Sequence, residues 1–307
     1  MSDILVPQEP APVTLGFSTE ILAGQLAASS IVGYRRDIAG YLVFAGSREA
    51  AMRPTTLARW RAQLANETKL SPRTINRRLA AVKRLIREAA AQGYVTSDVA
   101  SAFDQVAGVK PRALKDRVKA HARVRISPAD MRRLCDRPDR TTLMGLRDAA
   151  LLTTLASSGL RVAEAATLTV GQLHAKGEGY VVTVQGKNDE APREAPLSRE
   201  ARRRISDWLA QRGVQGDAIF TGFAGRGGRL TARAMSSPSV WRIVQRYAGE
   251  LGLSHIKPHD FRRFVGTQLA AQDIRKAQKA LGHKRIDTTA SHYVLDELEV
   301  GLTDELF

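Results

Sequence analysis

The sequence predicts a mainly α-helical chain with a small β-sheet, divided into two domains. Three observations carry that reading. Apolar residues recur at helical spacing from Ser18 to about Gly93, a base-rich stretch poor in apolar residues interrupts the pattern between Ala107 and Arg125, and a β-pattern is confined to Tyr180–Gln185 and a short strand ending at Leu197. A length of 307 residues fits two domains of ordinary size.

Residues 1–17 hold Asp3, Glu9 and three prolines and are expected to be a flexible start; they lack the basic head and apolar run of a secretory signal. Ile31, Tyr34, Ile38 and Tyr41, spaced by three and four, face a helical core. Ser71-Pro72 supplies a capping hydroxyl and a first-turn proline, and Gln92-Gly93 a stop. Between them Ile75, Leu79, Val82, Ile86 and Ala89 share one face, with Arg73, Arg77 and Arg84 on the opposite one. Such an arginine stripe is either a solvated face or a surface laid against DNA phosphates. Residues 108–125 are expected to be a basic linker. Ile126-Ser127-Pro128 with Asp130 then opens a second domain of helices, a hairpin with its turn at Gly186 to Glu190, and further helices to the end. Gly222 to Gly228 is read as a loop; no Gly-Lys-Ser/Thr follows to make it a phosphate cradle.

Composition narrows the function. Lys and Arg number 47 against 31 Asp and Glu, a net charge of +16, and the isoelectric point is near 10.5. That is the electrostatic footprint of a nucleic-acid binder. The single cysteine, Cys135, allows neither an internal disulfide nor a thiolate cluster. The longest nearly apolar stretch, Ala149 to Ala156, is far short of the ~20 residues of a membrane helix, so the expected location is the cytoplasm, at the nucleoid, with no membrane partner. His255 and His259 have the spacing of a helical metal pair, but Pro258 starts a helix too late for both to share it, and no metal or other cofactor is expected.

Four segments concentrate groups able to hold and attack a phosphodiester. In Ser158-Gly159-Leu160-Arg161-Val162-Ala163-Glu164, Gly159 ends one helix, Arg161 offers a forked cation backed by the next helix's N-terminus, and Glu164 is placed to steady it. Lys187 stands at the hairpin tip. In Pro258-His259-Asp260-Phe261-Arg262, the spacing sets an imidazole and a guanidinium on one helix face. Leu281-Gly282-His283 is followed ten residues later by Tyr293.

Taken in order, these motifs resemble those of the tyrosine recombinases, the phage-integrase-like enzymes that cut and rejoin DNA, and the resemblance covers nearly the whole chain. It implies a SAM-like core-binding DNA clamp over residues 18–107 and a mixed α/β catalytic domain over 126–295. Arg161 and Arg262 would clamp the scissile phosphate, Lys187 would protonate the departing 5′-oxygen, and His259 and His283 would assist by proton transfer and hydrogen bonding. Tyr293 would be the nucleophile, leaving a 3′-phosphotyrosyl link. The implied partners are double-stranded DNA, three further copies in a homotetramer on paired sites, and possible accessory DNA-bending proteins. Arg263 departs from the family pattern where a second histidine is common, Ala165 replaces the usual leucine after Glu164, and the His283-to-Tyr293 interval is one residue longer than in many members. Residues 296–307 are expected to form an acidic, leucine-spaced amphipathic tail, which either docks on a neighbouring protomer, as such a segment often does in the family, or folds back on its own catalytic domain. Two other readings compete: a type IB topoisomerase, separated by whether the protein pairs two sites, and a non-catalytic regulator reading DNA with the Ser71 to Ala91 helix.

Overall fold

The computed structural model describes residues 16–117, 126–186, 191–213, 216–224 and 228–293. The chain divides into two units, residues 1–122 and 123–307, each with its own hydrophobic core.

The first unit is helical: α1 (Ala28–Ala45), α2 (Arg48–Ala51), α3 (Pro54–Glu67), α4 (Pro72–Ala91) and α5 (Ser97–Gln105). α4 follows the local signals closely. The Ser71 hydroxyl accepts from the Thr74 amide, Pro72 occupies the first turn, and Gly93 beyond the end takes φ +79°. Its buried face carries the expected Ile75, Leu79, Val82, Ile86 and Ala89, widened by Ala81 and Leu85. They pack with Ile38 and Tyr41 of α1 and Trp60 of α3; Tyr41 lies 5.2 Å from the Trp60 ring and donates to the Ala51 carbonyl at 2.8 Å.

The linker expected over 108–125 begins later than the composition suggested. Val109 is buried in the first core and exchanges two hydrogen bonds with Asn76 of α4 (3.0 and 2.7 Å), while Arg117 reaches the Ala65 carbonyl at 2.6 Å. Arg117 serves there as a long donor to a carbonyl near the end of α3, so a low apolar content did not mean an unpacked segment. Residues 118–125 lie outside the described residues, as do 1–15 of the expected flexible start and the whole 296–307 tail.

The second unit begins with α6 (Pro128–Asp136), α7 (Leu143–Ser158) and α8 (Val162–Ala166). α7 is buried on nearly every side because α6, α9 (Arg199–Gln211) and α11 (Pro258–Ala270) surround it. Its hydroxyls are satisfied internally: Thr153 and Thr154 donate to the carbonyls one turn back, at 2.8 Å each. This accounts for the Ala149 to Ala156 run; no helix among the described residues is long and apolar enough to cross a membrane.

Before α9 come three antiparallel strands in spatial order, β1 (Leu173–Lys176), β2 (Gly179–Val184) and β3 (Arg193–Leu197). Val182 pairs with Leu173 on one side and Ala195 on the other. β1 had no alternation to announce it, since His174, Ala175 and Lys176 are all exposed; its partner defines it. Gly222, Phe223 and Ala224, at the start of the stretch expected to be a loop, belong to a second sheet of β4 (Thr221–Ala224) and β5 (Arg229–Ala234), while residues 225–227 lie outside the described residues. Tertiary contacts hold this glycine-rich ribbon: the Arg147 guanidinium lies 4.6 Å over the Phe223 ring and donates to the Thr221 carbonyl at 3.2 Å. The chain closes with α10 (Ser237–Glu250), α11, α12 (Ile274–Leu281) and α13 (Ile286–Tyr293).

Candidate active site

α7 ends at Gly159, left-handed at φ +62°, where a Cβ would lie 2.9 Å from a Leu281 methyl. Only glycine meets both demands. Two residues on, Arg161 stands extended just before α8, and its main-chain amide and Nη1 both donate to Glu164, at 2.8 and 2.7 Å. The Glu164 side chain is 7% exposed and that of Arg161 42%, so a buried carboxylate steadies a half-exposed cation. α8 has five residues, too few for a strong dipole, so the helix N-terminus expected to back Arg161 adds little to its charge.

The second cation comes from the second turn of α11, whose start is set by Pro258. Arg262 is 3% exposed. It donates to the Gly159 carbonyl (2.8 Å) and the Leu281 carbonyl (2.5 Å) and lies 3.2 Å from His283 Nε2. One guanidinium thus ties together segments 103 and 19 residues away. Burial pushes its pKa below the ordinary arginine value; the field of Tyr293 opposes that shift, while Arg161 and Arg193 add to it. Guanidinium remains charged in proteins even so. A buried cation with two cationic neighbours favours an anion brought among them.

His283 follows a second left-handed glycine, Gly282 (φ +66°), after α12. The other ring nitrogen, Nδ1, lies 2.9 Å from the fully buried Thr289 hydroxyl, so both nitrogens of the imidazole are held in place. The His283 ring stacks on Tyr293, centroids 5.5 Å apart and planes inclined by 15°. Tyr293 is buried against Gly266 of α11, where a Cβ would lie only 2.5 Å from the phenol ring. The nucleophile candidate is therefore seated in a notch made by a missing side chain.

The other tyrosine between the hairpin and the C-terminus sits elsewhere. Tyr247 on α10 is 7% exposed and donates to Asp148 Oδ2 at 3.0 Å; burial, with the Asp148 charge, pushes its phenol up to about 12. It is a structural hydrogen-bond donor.

Of the residues singled out by sequence, Arg161, Glu164, Arg262, His283 and Tyr293 are joined by contacts or electrostatic coupling. His259 is exposed on the first turn of α11, one turn before Arg262. Arg263, in the position of the absent second histidine, is engaged by Asp260 at 3.1 Å. Lys187 lies outside the described residues. Arg73, Arg77 and Arg84 belong to the first unit: Arg73 is exposed on the first turn of α4, Arg77 is paired with the buried Asp37 of α1, and Arg84 donates to Gln25 at 2.6 Å. The stripe expected to face away from the core is thus partly engaged by its own unit.

Arg193 escaped the motif reading. It opens β3 with its side chain 9% exposed and donates to Glu164 Oε2 at 2.6 Å and the Ala280 carbonyl at 2.8 Å. The strand alternation held a usable signal, because positions 193, 195 and 197 share one face and the other two are buried apolar residues. Among the described residues no group of three or more His, Cys, Asp or Glu is placed to hold a metal.

Known proteins match over most of the chain. Residues 125–298 match the phage integrase family and residues 17–93 the phage integrase N-terminal SAM-like domain. Tyrosine recombinase XerC of Chromohalobacter salexigens is 31% identical over 288 residues, covering 90% of this chain and 88% of that protein. XerC of Pseudomonas aeruginosa (strain LESB58) is 32% identical over 281 residues, with coverages of 89% and 86%. Among solved structures, XerH site-specific recombinase bound to palindromic difH substrate, a post-cleavage complex, aligns over 92% of this chain and 80% of its own at a TM-score of 0.67 and 16% identity. A lambda integrase dimer bound to a COC′ core site aligns over 92% and 96% at 0.63 and 16%. At such identity these two structures speak for the fold alone.

Proposed function

The chain belongs to the phage integrase family and is a tyrosine-type site-specific DNA recombinase, and from that premise we propose that Tyr293 is its nucleophile and Arg161, Arg262 and His283 its phosphate-binding groups. The Tyr293 oxygen forms a bond to the scissile phosphorus as the bond to the 5′-oxygen breaks; the 3′-phosphotyrosyl ester conserves the bond energy until another strand's 5′-hydroxyl reverses the step. Arg161 and Arg262 stabilise the charge on the non-bridging oxygens. Lys187 protonates the leaving oxygen, and His259 and His283 donate or relay protons around the phosphate. Duplex DNA is the substrate, and the active assembly is a homotetramer on paired sites.

The observation that supports the residue assignment is the meeting of Tyr293, His283 and Arg262, drawn from three segments, with Arg161 close enough to Arg262 to couple to its charge. The rival phenol is held by Asp148 and strongly protonated. The test is a nicked suicide duplex run on a denaturing gel. Tyr293→Phe is expected to bind DNA normally and give no covalent adduct, whereas Tyr247→Phe retains the adduct. An adduct from Tyr293→Phe overturns the assignment.

A further inference from the structure

We propose that Arg193 is a positioning residue of the phosphate site, one that sets the spacing between Arg161 and the Gly282-His283 turn; this rests on Arg161 being a phosphate ligand. A single Glu164 carboxylate serves both arginines. Its Oε2 accepts from Arg193 Nη2 (2.6 Å) and from the Arg161 amide (2.8 Å), and its Oε1 from Arg161 Nη1 (2.7 Å). The other arm of Arg193 reaches the Ala280 carbonyl at 2.8 Å, just before the turn that presents His283. The turn closes on the arginine itself: a Cβ on Gly282 would lie 2.2 Å from Arg193 Cδ. One flat fork therefore spans from the residue that steadies Arg161 to the helix end that delivers His283.

Arg262 bridges the same two segments through the Gly159 and Leu281 carbonyls, so the site is braced twice. The two braces differ in what they do to charge. Arg193 neutralises much of the Glu164 carboxylate, which otherwise would be available to Arg161 alone. The guanidinium groups of Arg161, Arg193 and Arg262 thus gather around the Glu164 carboxylate, a cluster that favours a phosphate's negative charge brought among them. Lysine has one point of charge and cannot form both arms in the same geometry. A purely structural strut between β3 and α12 would stabilise the fold without regard to the charge of the substrate; a residue that aims Arg161 at non-bridging oxygens would not.

That difference is measurable. Single-turnover cleavage by the full chain is followed on two suicide duplexes at saturating protein, one with a normal scissile phosphodiester and one with a methylphosphonate, which lacks the negative non-bridging oxygen. On the phosphodiester, Arg193→Met is expected to slow cleavage about 10–100-fold, the usual effect of removing a partner that orients a ligand, with DNA affinity within about threefold of the parent. On the methylphosphonate most of that defect disappears, and Arg193→Lys falls between. Equal slowing on both substrates, or none on either, overturns the proposal. Glu164→Gln, nearly isosteric, is expected to show the same substrate dependence and decides the matter if Arg193→Met does not fold. Arg161→Ala is the control: if its defect is equal on both substrates, the reading of Arg161 as a phosphate ligand has failed, independently of Arg193.

Discussion

Single side chains set the chemistry here by what they exclude as much as by what they contact. Gly266 is the clearest case. In a helix interior alanine is favoured over glycine by about 1 kcal/mol, yet a Cβ at 266 would lie 2.5 Å from the Tyr293 ring. Overpacking of that kind costs about 1–3 kcal/mol, and here it is relieved by displacing the tyrosine. Gly266→Ala is expected to melt near the parent temperature and bind DNA equally well, while covalent adduct forms at least about tenfold more slowly; an unchanged adduct rate would mean that Tyr293 reacts from another seat. Asp148 supports a prediction in pH. Burial holds its carboxyl above the ordinary value of 3.8, outweighing the opposing pull of Arg147 and the hydrogen bonds from Arg147 and Tyr247. The native state therefore keeps the proton to higher pH than the unfolded chain, so this group's contribution to stability is full below 3.8 and is lost as pH rises through the native value. In melts from pH 4 to 7, the stability of the parent relative to Asp148→Asn should fall with rising pH; a constant difference would show that Asp148 has no raised value. The residues legible in advance were those with local grammar: Arg161 after a helix-ending glycine, Arg262 three beyond His259, His283 after Gly282. Arg193, Thr289 and Gly266 were not, because their roles consist of contacts with Ala280, His283 and Tyr293 that no local spacing encodes.

At the scale of elements, helices with strong caps declared themselves and strands defined by partners did not. α4 was readable to its Ser71 cap and its Gly93 stop. β1 and the β4–β5 ribbon exist because Tyr180 to Val182 and Arg147 complete them from outside, so their own sequences are neutral. The same distinction sharpens the reading of the α4 arginines. Replacing Arg73, Arg77 and Arg84 with alanine together should lower affinity for specific and random DNA alike and reduce the slope of log K against log salt by up to about 0.9 per lost phosphate contact. The three differ in what else they do. Arg77→Ala leaves the Asp37 carboxylate, 1% exposed, with only Arg78 at 3.8 Å, and stranding a buried charge costs about 3 kcal/mol or more when nothing replaces its partner. Arg73→Ala should therefore melt normally and Arg77→Ala should melt lower. An unchanged salt slope in the triple variant, in protein that remains folded, would make the stripe a solvated face.

The whole molecule joins a basic charge balance to two separately cored units, one read as a clamp and the other carrying the chemistry. The tail beyond Tyr293, outside the described residues, places Asp296, Glu297, Glu299, Asp304 and Glu305 among leucines at helical spacing, with no Lys or Arg in the last twelve residues. Docked on a basic neighbouring protomer, such a segment would couple assembly to positioning of Tyr293. Truncation after Asp296 is then expected to leave single-site binding intact while abolishing the paired-site complex and strand exchange on native gels; a truncated protein that still exchanges strands would remove the tail from assembly. The division into two cores has a bearing on descent. Ile38, Tyr41 and Trp60 pack in one cluster and Leu151, Trp208 and Phe261 in another, with no member in common. A mutation that loosens one cluster need not be compensated in the other, so in the course of descent each unit can repack its own core without the other having to follow.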